Sequence, residues 1–327
     1  MLLLNRIFQH AARVMFPQSM AIPILLAGIL SSPAGAQQPG QNTYPSPEAA
    51  SRALVEAAQK NDEKGLIEIL GPEGHPIVSS GDEAEDANDR VNFVEKYQEM
   101  HRLVQEPDGT TTLYIGAKNW PTPIPLLNKG NLWYFDTLAG KQEILCRRIG
   151  LNETSALRVC LDLVQAQTEF FALQHGAYAE VVISDEGKRN GLYWKAPAGE
   201  APSPISPLVA PALAKGYAIN QGGVLTPYCG YAFGVLHRQG KHAPGGAKNY
   251  SVKGRMTDGF ALVAYPAEYR SSGVMTFIVD RHGVVFQKDL GRRTVALARA
   301  MKAYDPGPGW QKADARLVQA ASEEGPK

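Results

Sequence analysis

Residues Gly259–Gly291 read GFALVAYPAEYRSSGVMTFIVDRHGVVFQKDLG. Three short strands and two turns are written into this stretch. Phe260–Tyr265 is the first strand, and Pro266, which cannot donate to a ladder, closes it. Ser271-Ser272-Gly273 is a turn. Along Val274–Asp280, Val274, Thr276 and Ile278 alternate with Met275, Phe277 and Val279, and both series suit a strand covered on its two faces. His282-Gly283 is a tight turn, and Val284–Lys288 runs back. The chain from Glu153 to Trp310 reads as support for this meander.

Working outward, a helix is expected from Glu153 to Gln174. Leu157, Cys160, Leu161, Val164, Thr168 and Phe171 fall at helical spacing, and Gly176 ends it. Tyr178–Ile183, Gly191–Trp194 and Tyr228–Leu236 read as extended segments. Ala196–Pro211 is proline-rich, and Arg238–Asn249 is a glycine-rich loop. Thr294–Tyr304 is expected as a closing helix.

Nearer the N-terminus, Ser46-Pro47-Glu48 is a helix start: Ser46 as N-cap, Pro47 in the first turn, Glu48 complementing the dipole. A second short helix is expected over Glu63–Leu70, stopped by Gly71-Pro72. Glu73–Asp89 reads as acidic and turn-rich, and Arg90–Gln105 as a third helix. The period then changes to strands at Thr110–Ala117, Ile124–Leu127 and Leu132–Asp136, with a turn at Ala139-Gly140 leading on to Glu143–Arg147. Helices followed by an antiparallel meander is the α+β pattern. The expected organisation is a signal peptide at 1–36, a flexible linker at 37–47, α+β domains at 48–150 and 151–310, and a tail at 311–327.

The export signal rests on Arg6 and Arg13, the apolar run Met20–Leu30, and Ala34-Gly35-Ala36 as a cleavage site. Met20–Leu30 is too short to span about 30 Å of hydrocarbon, and Pro23 and Pro33 interrupt it. An exported protein is expected, periplasmic in a Gram-negative cell, with no membrane span after signal removal. Removing Arg6 and Arg13 takes the formal charge from +1 to about −1, which gives no support for a nucleic-acid partner. Three cysteines remain in a compartment that permits disulfides. Cys160 with Cys229 is the expected pair, and small buried thiols with no bridge are the alternative.

The motifs that carry chemistry are sparse. No CxxC, HExxH or GxSxG occurs, and Pro244-Gly245-Gly246 has no following GK[ST], so no cofactor is expected. His237, His242 and His282 lie in loops of the second domain, and a metal would need several of them within ligand distance. Asp82, Glu83, Glu85, Asp86 and Asp89 read as a solvated acidic face. Arg147 and Arg148 with Glu153 could form an anion site or an ion pair between the domains. Trp120, Trp133 and Asp136, with Tyr134, Tyr193 and Trp194 among the aromatics, could line a pocket or simply be core.

Ser80-Gly81-Asp82, WPTPIPLL from Trp120, Trp133–Asp136, Glu143 with Arg147–Gly150, Asn152-Glu153, Gln165–Gln167, Gly191–Trp194, Pro244–Ala247 and nearly all of Gly259–Gly291 resemble the family called domain of unknown function 2950. The resemblance implies an exported protein and no established activity. That family has Asp before GLYW where this chain has Asn190, so a required carboxylate there is not supported. The N-terminal helices with PIPLLNKGNLWYFD resemble the cone-shaped nuclear-transport-factor-2-like fold. The second half, one long helix and the final meander, is similar to the globular part of type IV pilins and pseudopilins. It departs from them in having no apolar half-helix at its start, which implies a pilin-like fold without pilus assembly. The expected function is non-enzymatic binding of an envelope protein or a small ligand. The alternatives are an enzyme with a site near Trp120, Trp133 and Asp136, and a component associated with a secretion system.

Overall fold

The structure is a computed structural model that describes residues 37–196, 202–205 and 228–314. The expected signal peptide and all of the expected tail beyond residue 314 lie outside the described residues. The fold is mixed α+β, in two compact units that divide between Arg148 and Ile149. Each is taken by itself.

The first unit opens with helices α1 (Pro47–Gln59), α2 (Glu63–Leu70), α3 (His75–Val78) and α4 (Glu83–Glu99). Ser46 caps α1 by accepting from Ala49 N at 3.2 Å, and Asp62 caps α2 by accepting from Gly65 N at 2.9 Å. The antiparallel sheet follows as β1 (His101–Gln105), β2 (Thr111–Ile115), β3 (Trp120–Pro121), β4 (Leu126–Lys129) and β5 (Leu132–Phe135), in the order β1-β2-β4-β5 with β3 beside β2. The β4–β5 hairpin turns on Gly130 and Asn131, with φ of 61° and 68°, the left-handed pair that matches strand twist. Leu66, Ile69, Leu70, Leu113, Ile115, Leu126 and Phe135 are buried.

Three expectations change here. The segment expected as a flexible linker is pinned in place. The Gln41 amide donates to Ile69 O at 3.2 Å and to Phe135 O at 2.8 Å, and Gln38 donates to Leu70 O at 3.3 Å. The Ile69 and Leu70 carbonyls are end groups that the helix leaves without internal partners, and the Phe135 carbonyl ends strand β5. Of the stretch expected as turn-rich over Glu73–Asp89, the part from Glu83 is instead the first turns of α4, capped by Asp82 on Ala84 N and Glu85 N, and it buries Asp86 and Asp89. The expected helix over Arg90–Gln105 stops at Glu99 because Met100 is extended, and His101–Gln105 pairs with β2 instead.

A fourth change concerns Glu143–Arg147, which lies inside helix α5 (Thr137–Leu173). Asp136 accepts from Ala139 N at 3.0 Å and so starts the helix. Gly140 sits where an added Cβ would meet Ile124 at 2.6 Å, so this glycine serves close packing and not a turn.

In the second unit the C-terminal part of α5 buries Ala156, Leu157, Cys160, Leu163, Ala166 and Phe170. The short parallel strands β6 (Val181–Ile183) and β7 (Gly191–Tyr193) follow, then β8 (Tyr231–Leu236), β9 (Arg238–Gln239), β10 (Lys248–Asn249), β11 (Ser251–Val252) and β12 (Arg255–Met256). The quoted meander forms β13 (Ala261–Pro266), β14 (Met275–Asp280) and β15 (Val285–Asp289). Helix α6 (Thr294–Ala300), shorter than the expected closing helix, leads to β16 (Ala303–Tyr304) and β17 (Gln311–Lys312). The main sheet runs β17-β15-β14-β13-β8, all antiparallel. Ala261, Leu262, Ala264, Phe277, Ile278 and Val279 are each at most 1% exposed, as their two-sided apolar pattern requires. Asp280 holds the β14–β15 turn by accepting from His282 N at 2.9 Å and Val284 N at 3.0 Å.

Candidate functional site

The site that the fold builds lies in the second unit, along β8 and beside α6. In the β8–β13 register Gly234 faces Val263 and Ala232 faces Tyr265, so Gly234, Val263 and Tyr265 belong to one face of the sheet. Helix α6 brings Ala298 and Arg299 to that face, and the chain after it brings Met301 and Lys302. Between them is a cleft of about 620 Å³, lined also by Phe233, Val235, Leu236, His237, Arg238, Asn249, Ser251 and the residues just named. That volume is in the range that holds small ligands.

The chemistry of the lining is one-sided. Its floor is apolar and buried at Phe233, Leu236, Val263, Tyr265 and Ala298. Its exposed groups include Arg238, Arg299 and Lys302, and no carboxylate is among the lining residues. Among the described residues no Asp or Glu lies within ion-pair distance of these three cations. In the same unit Asp258 is paired with Lys248 at 3.0 Å, and Asp305 with His242 at 3.1 Å. The His237 ring contacts Glu180 O at 2.7 Å through Nε2. An apolar floor and a positive rim attract an anion that carries apolar surface.

The sequence-derived candidates are distributed differently. Arg147, in the first unit, donates from Nε to Glu143 at 2.7 Å and from a guanidinium NH2 to Pro121 O at 2.7 Å. Its guanidinium also lies 4.9 Å from the centre of the Trp120 ring. Trp120 and Arg147 are therefore brought together, with Glu143 completing the group. Arg148 is half-buried on α5. Trp133 is tied by its backbone to Tyr44, and Asp136 caps α5.

Glu153 belongs to the second unit. Its Oε1 accepts from Val274 N at 2.9 Å and Met275 N at 3.0 Å, and the Tyr231 hydroxyl, which donates to Met275 O at 2.8 Å, stands 3.5 Å away. Burial pushes the carboxyl above its ordinary range and outweighs the pull of these donors. The partners of Glu153 are thus the start of β14 and Tyr231. The expected Cys160–Cys229 bridge is not made, since Cys160 carries a free thiol. It sits wholly inside the core, and burial pushes it up to about 12.

The three loop histidines do not converge: His237 contacts Glu180, His242 contacts Asp305, and His282 contacts Arg281. Among the described residues no group of three or more His, Cys, Asp or Glu could hold a metal ion, and no helix is long and apolar enough to cross a membrane. Of the cleft residues, only His237 was visible as a candidate in the sequence. Arg238, Arg299 and Lys302 carry no motif, and they come to one opening only through the packing of β8, β13 and α6.

A family model described as "Protein of unknown function (DUF2950)" matches residues 41–313. No curated protein matches, and no solved structure matches.

Proposed function

The chain belongs to the DUF2950 family, matched over residues 41–313, and from that premise we propose that it is an exported binding protein whose second unit captures an anionic, partly apolar partner in the cleft between β8 and α6. Export is supported by the signal-like sequence of Met1–Ala36. A nuclear-transport-factor-2-like first unit is supported by the order α1–α4 and then an antiparallel sheet. A pilin-like second unit is supported by a long helix that buries one face and a meander that follows it. Binding without catalysis is supported by the cleft itself, which offers cations and apolar surface, with the His237 ring in contact with Glu180 O.

The observation that carries the reading is the gathering of Arg238, Arg299 and Lys302 on one opening with no carboxylate in its lining. Fluorescence anisotropy with labelled polyglutamate tests it. Binding to the mature chain is expected at low salt and weakens as salt screens the charges. Arg299→Glu with Lys302→Glu is expected to abolish it, whereas Lys129→Glu on the β4–β5 hairpin leaves it intact. Equal affinity in the double variant and the wild type would remove the cleft from the account.

A further inference from the structure

We infer that the ligand of the cleft is a single-chain carboxylate amphiphile, a fatty acid, lying over the β8–β13 face with its head beside Arg238 and Lys302 and its tail toward Tyr265. This rests on the reading of the cleft as an anion site and goes beyond it in naming the ligand class and its direction.

The lining is graded from one end to the other. In the β8–β13 register Tyr265 faces Ala232, Val263 faces Gly234 and Ala261 faces Leu236, so these residues follow one another along a single face of the sheet. Tyr265, Val263 and Leu236 are buried, as is Ala298 of α6 beside them. The charged and polar lining gathers beyond Leu236. Arg238 of β9 is paired with Ala303 of β16, directly after Lys302, and on its other side with Asn249 of β10. Arg299 stands in the last turn of α6, just before Lys302 in the chain. Apolar floor at one end and cations with an amide at the other is the polarity of an amphiphile.

The floor is also narrow. Of the main sheet only β8 and β13 contribute lining residues, and neighbouring strands lie about 4.8 Å apart. That width suits one alkyl chain and not two. Ala232 to Leu236 is four residue steps, roughly 13 Å at about 3.3 Å each, which suits an extended chain of medium length. Gly234 lies midway. Its φ is not in the left-handed region, and an added Cβ would meet only Val263 Cγ1, at an ordinary 3.5 Å. The backbone does not require glycine there, and the missing side chain leaves the floor open. The place of the cations selects the head. Arg299 is at the C-terminal end of α6, where helix carbonyls disfavour negative charge, whereas phosphate groups favour the opposite end. A monoanionic carboxylate in a guanidinium fork suits this rim better than a dianion.

Titration calorimetry of the chain with straight-chain carboxylates from acetate to dodecanoate, kept below micelle-forming concentrations, tests the inference. Affinity is expected to rise about fourfold per added methylene until the floor is filled. Dodecanol should bind about tenfold or more weakly than dodecanoate. Gly234→Leu, which occupies the middle of the floor, is expected to weaken dodecanoate by about tenfold or more and to leave polyglutamate binding intact. Arg299→Glu with Lys302→Glu should weaken both. Dodecanoate with a nitroxide at its methyl end reads the direction without any variant: it should broaden the amide resonances of Ala232 and Tyr265 more than those of Arg238 and Lys302. The opposite broadening would overturn the inference, and so would dodecyl phosphate binding about tenfold or more tightly than dodecanoate. If chain length has no effect while polyglutamate binds through Arg299 and Lys302, the amphiphile is wrong and the anion-binding cleft stands. If neither dodecanoate nor polyglutamate depends on Arg299 and Lys302, both readings fall together.

Discussion

Arg90 and Arg147 of the first unit and the cleft cations of the second are held in opposite ways. In the first unit cations are built into the fold. Arg90 is 4% exposed, donates to Val78 O at 3.1 Å and to the Asn61 side chain, and lies 3.6 Å from Glu63. Arg147 is held by Glu143, Pro121 and Trp120. In the second unit Arg238, Arg299 and Lys302 stand on an open cleft with no carboxylate in reach among the described residues. The buried acids differ as well. Asp86 feels burial most strongly, which raises its pKa, yet hydrogen bonds from Ser80 and the charge of Arg90 together hold it below its ordinary value. At Glu153 burial wins and the value is raised. A guanidinium enclosed by acceptors is part of the architecture, whereas one without them has capacity left for a ligand.

The largest expected effect tests the first half of that contrast. Arg90→Met should destabilise the chain by about 3–5 kcal/mol, because it removes a buried cation whose charge acts on Asp86. Urea unfolding of the chain reads the loss. A cost below about 1 kcal/mol would mean that the charge is solvated and that the contrast between the units is false.

Glu153 gives the next largest effect. Glu153→Ala leaves the N–H groups of Val274 and Met275 without their acceptor, at an expected cost of about 1–3 kcal/mol. Glu153→Gln keeps an acceptor and loses the charge. Because the folded pKa of Glu153 lies above its ordinary 4.5, the folded chain binds this proton more tightly than the unfolded chain. Its contribution to stability is fully present below 4.5 and is lost as pH rises through the folded value. Asp86 has the reverse sign: lowered from 3.8, it contributes above that value and loses the contribution as pH falls through its folded pKa. Stability measured against pH should therefore lose its decline above 4.5 in Glu153→Gln and keep its acid limb. An unchanged decline would assign the titration to another group.

What the sequence disclosed follows from which forces are local. The meander was legible because strand period, proline at a strand end and glycine at a turn all act within a few residues. Ser46-Pro47-Glu48 was legible for the same reason. The helix through Glu143–Arg147 was not, because Gly140 looked like a turn residue, and only its packing against Ile124 shows why a glycine is needed in a helix there. The pinned segment was missed because Gln38 and Gln41 look like solvated linker residues until the end of α2 is seen to need donors. Asp86 reads as part of a solvated face because its burial depends on Ser80 and Arg90 in the folded unit. The cleft was the least legible. Its cations come from β9, from α6 and from the residues just after it, and they meet only through the pairing of β8 with β13 and the packing of α6 beside that pair.

The smallest expected effect sharpens the second half of the contrast. Arg299→Glu with Lys302→Glu should change the stability of the chain by no more than about 0.5 kcal/mol, since both side chains are exposed and no carboxylate among the described residues pairs with them. The sign is informative as well as the size. Arg238, Arg299 and Lys302 line one opening, so their mutual repulsion should make the wild type slightly less stable at low salt than at high salt, and the double variant should lose that dependence. Thermal unfolding across a salt series measures it. Loss of stability on the scale of Arg90→Met would show that these cations hold the fold, and a cleft whose rim is structural could not also be the place where a ligand is gripped. Loss of polyglutamate binding at unchanged stability would separate the two roles in a single variant, as the difference between the units requires.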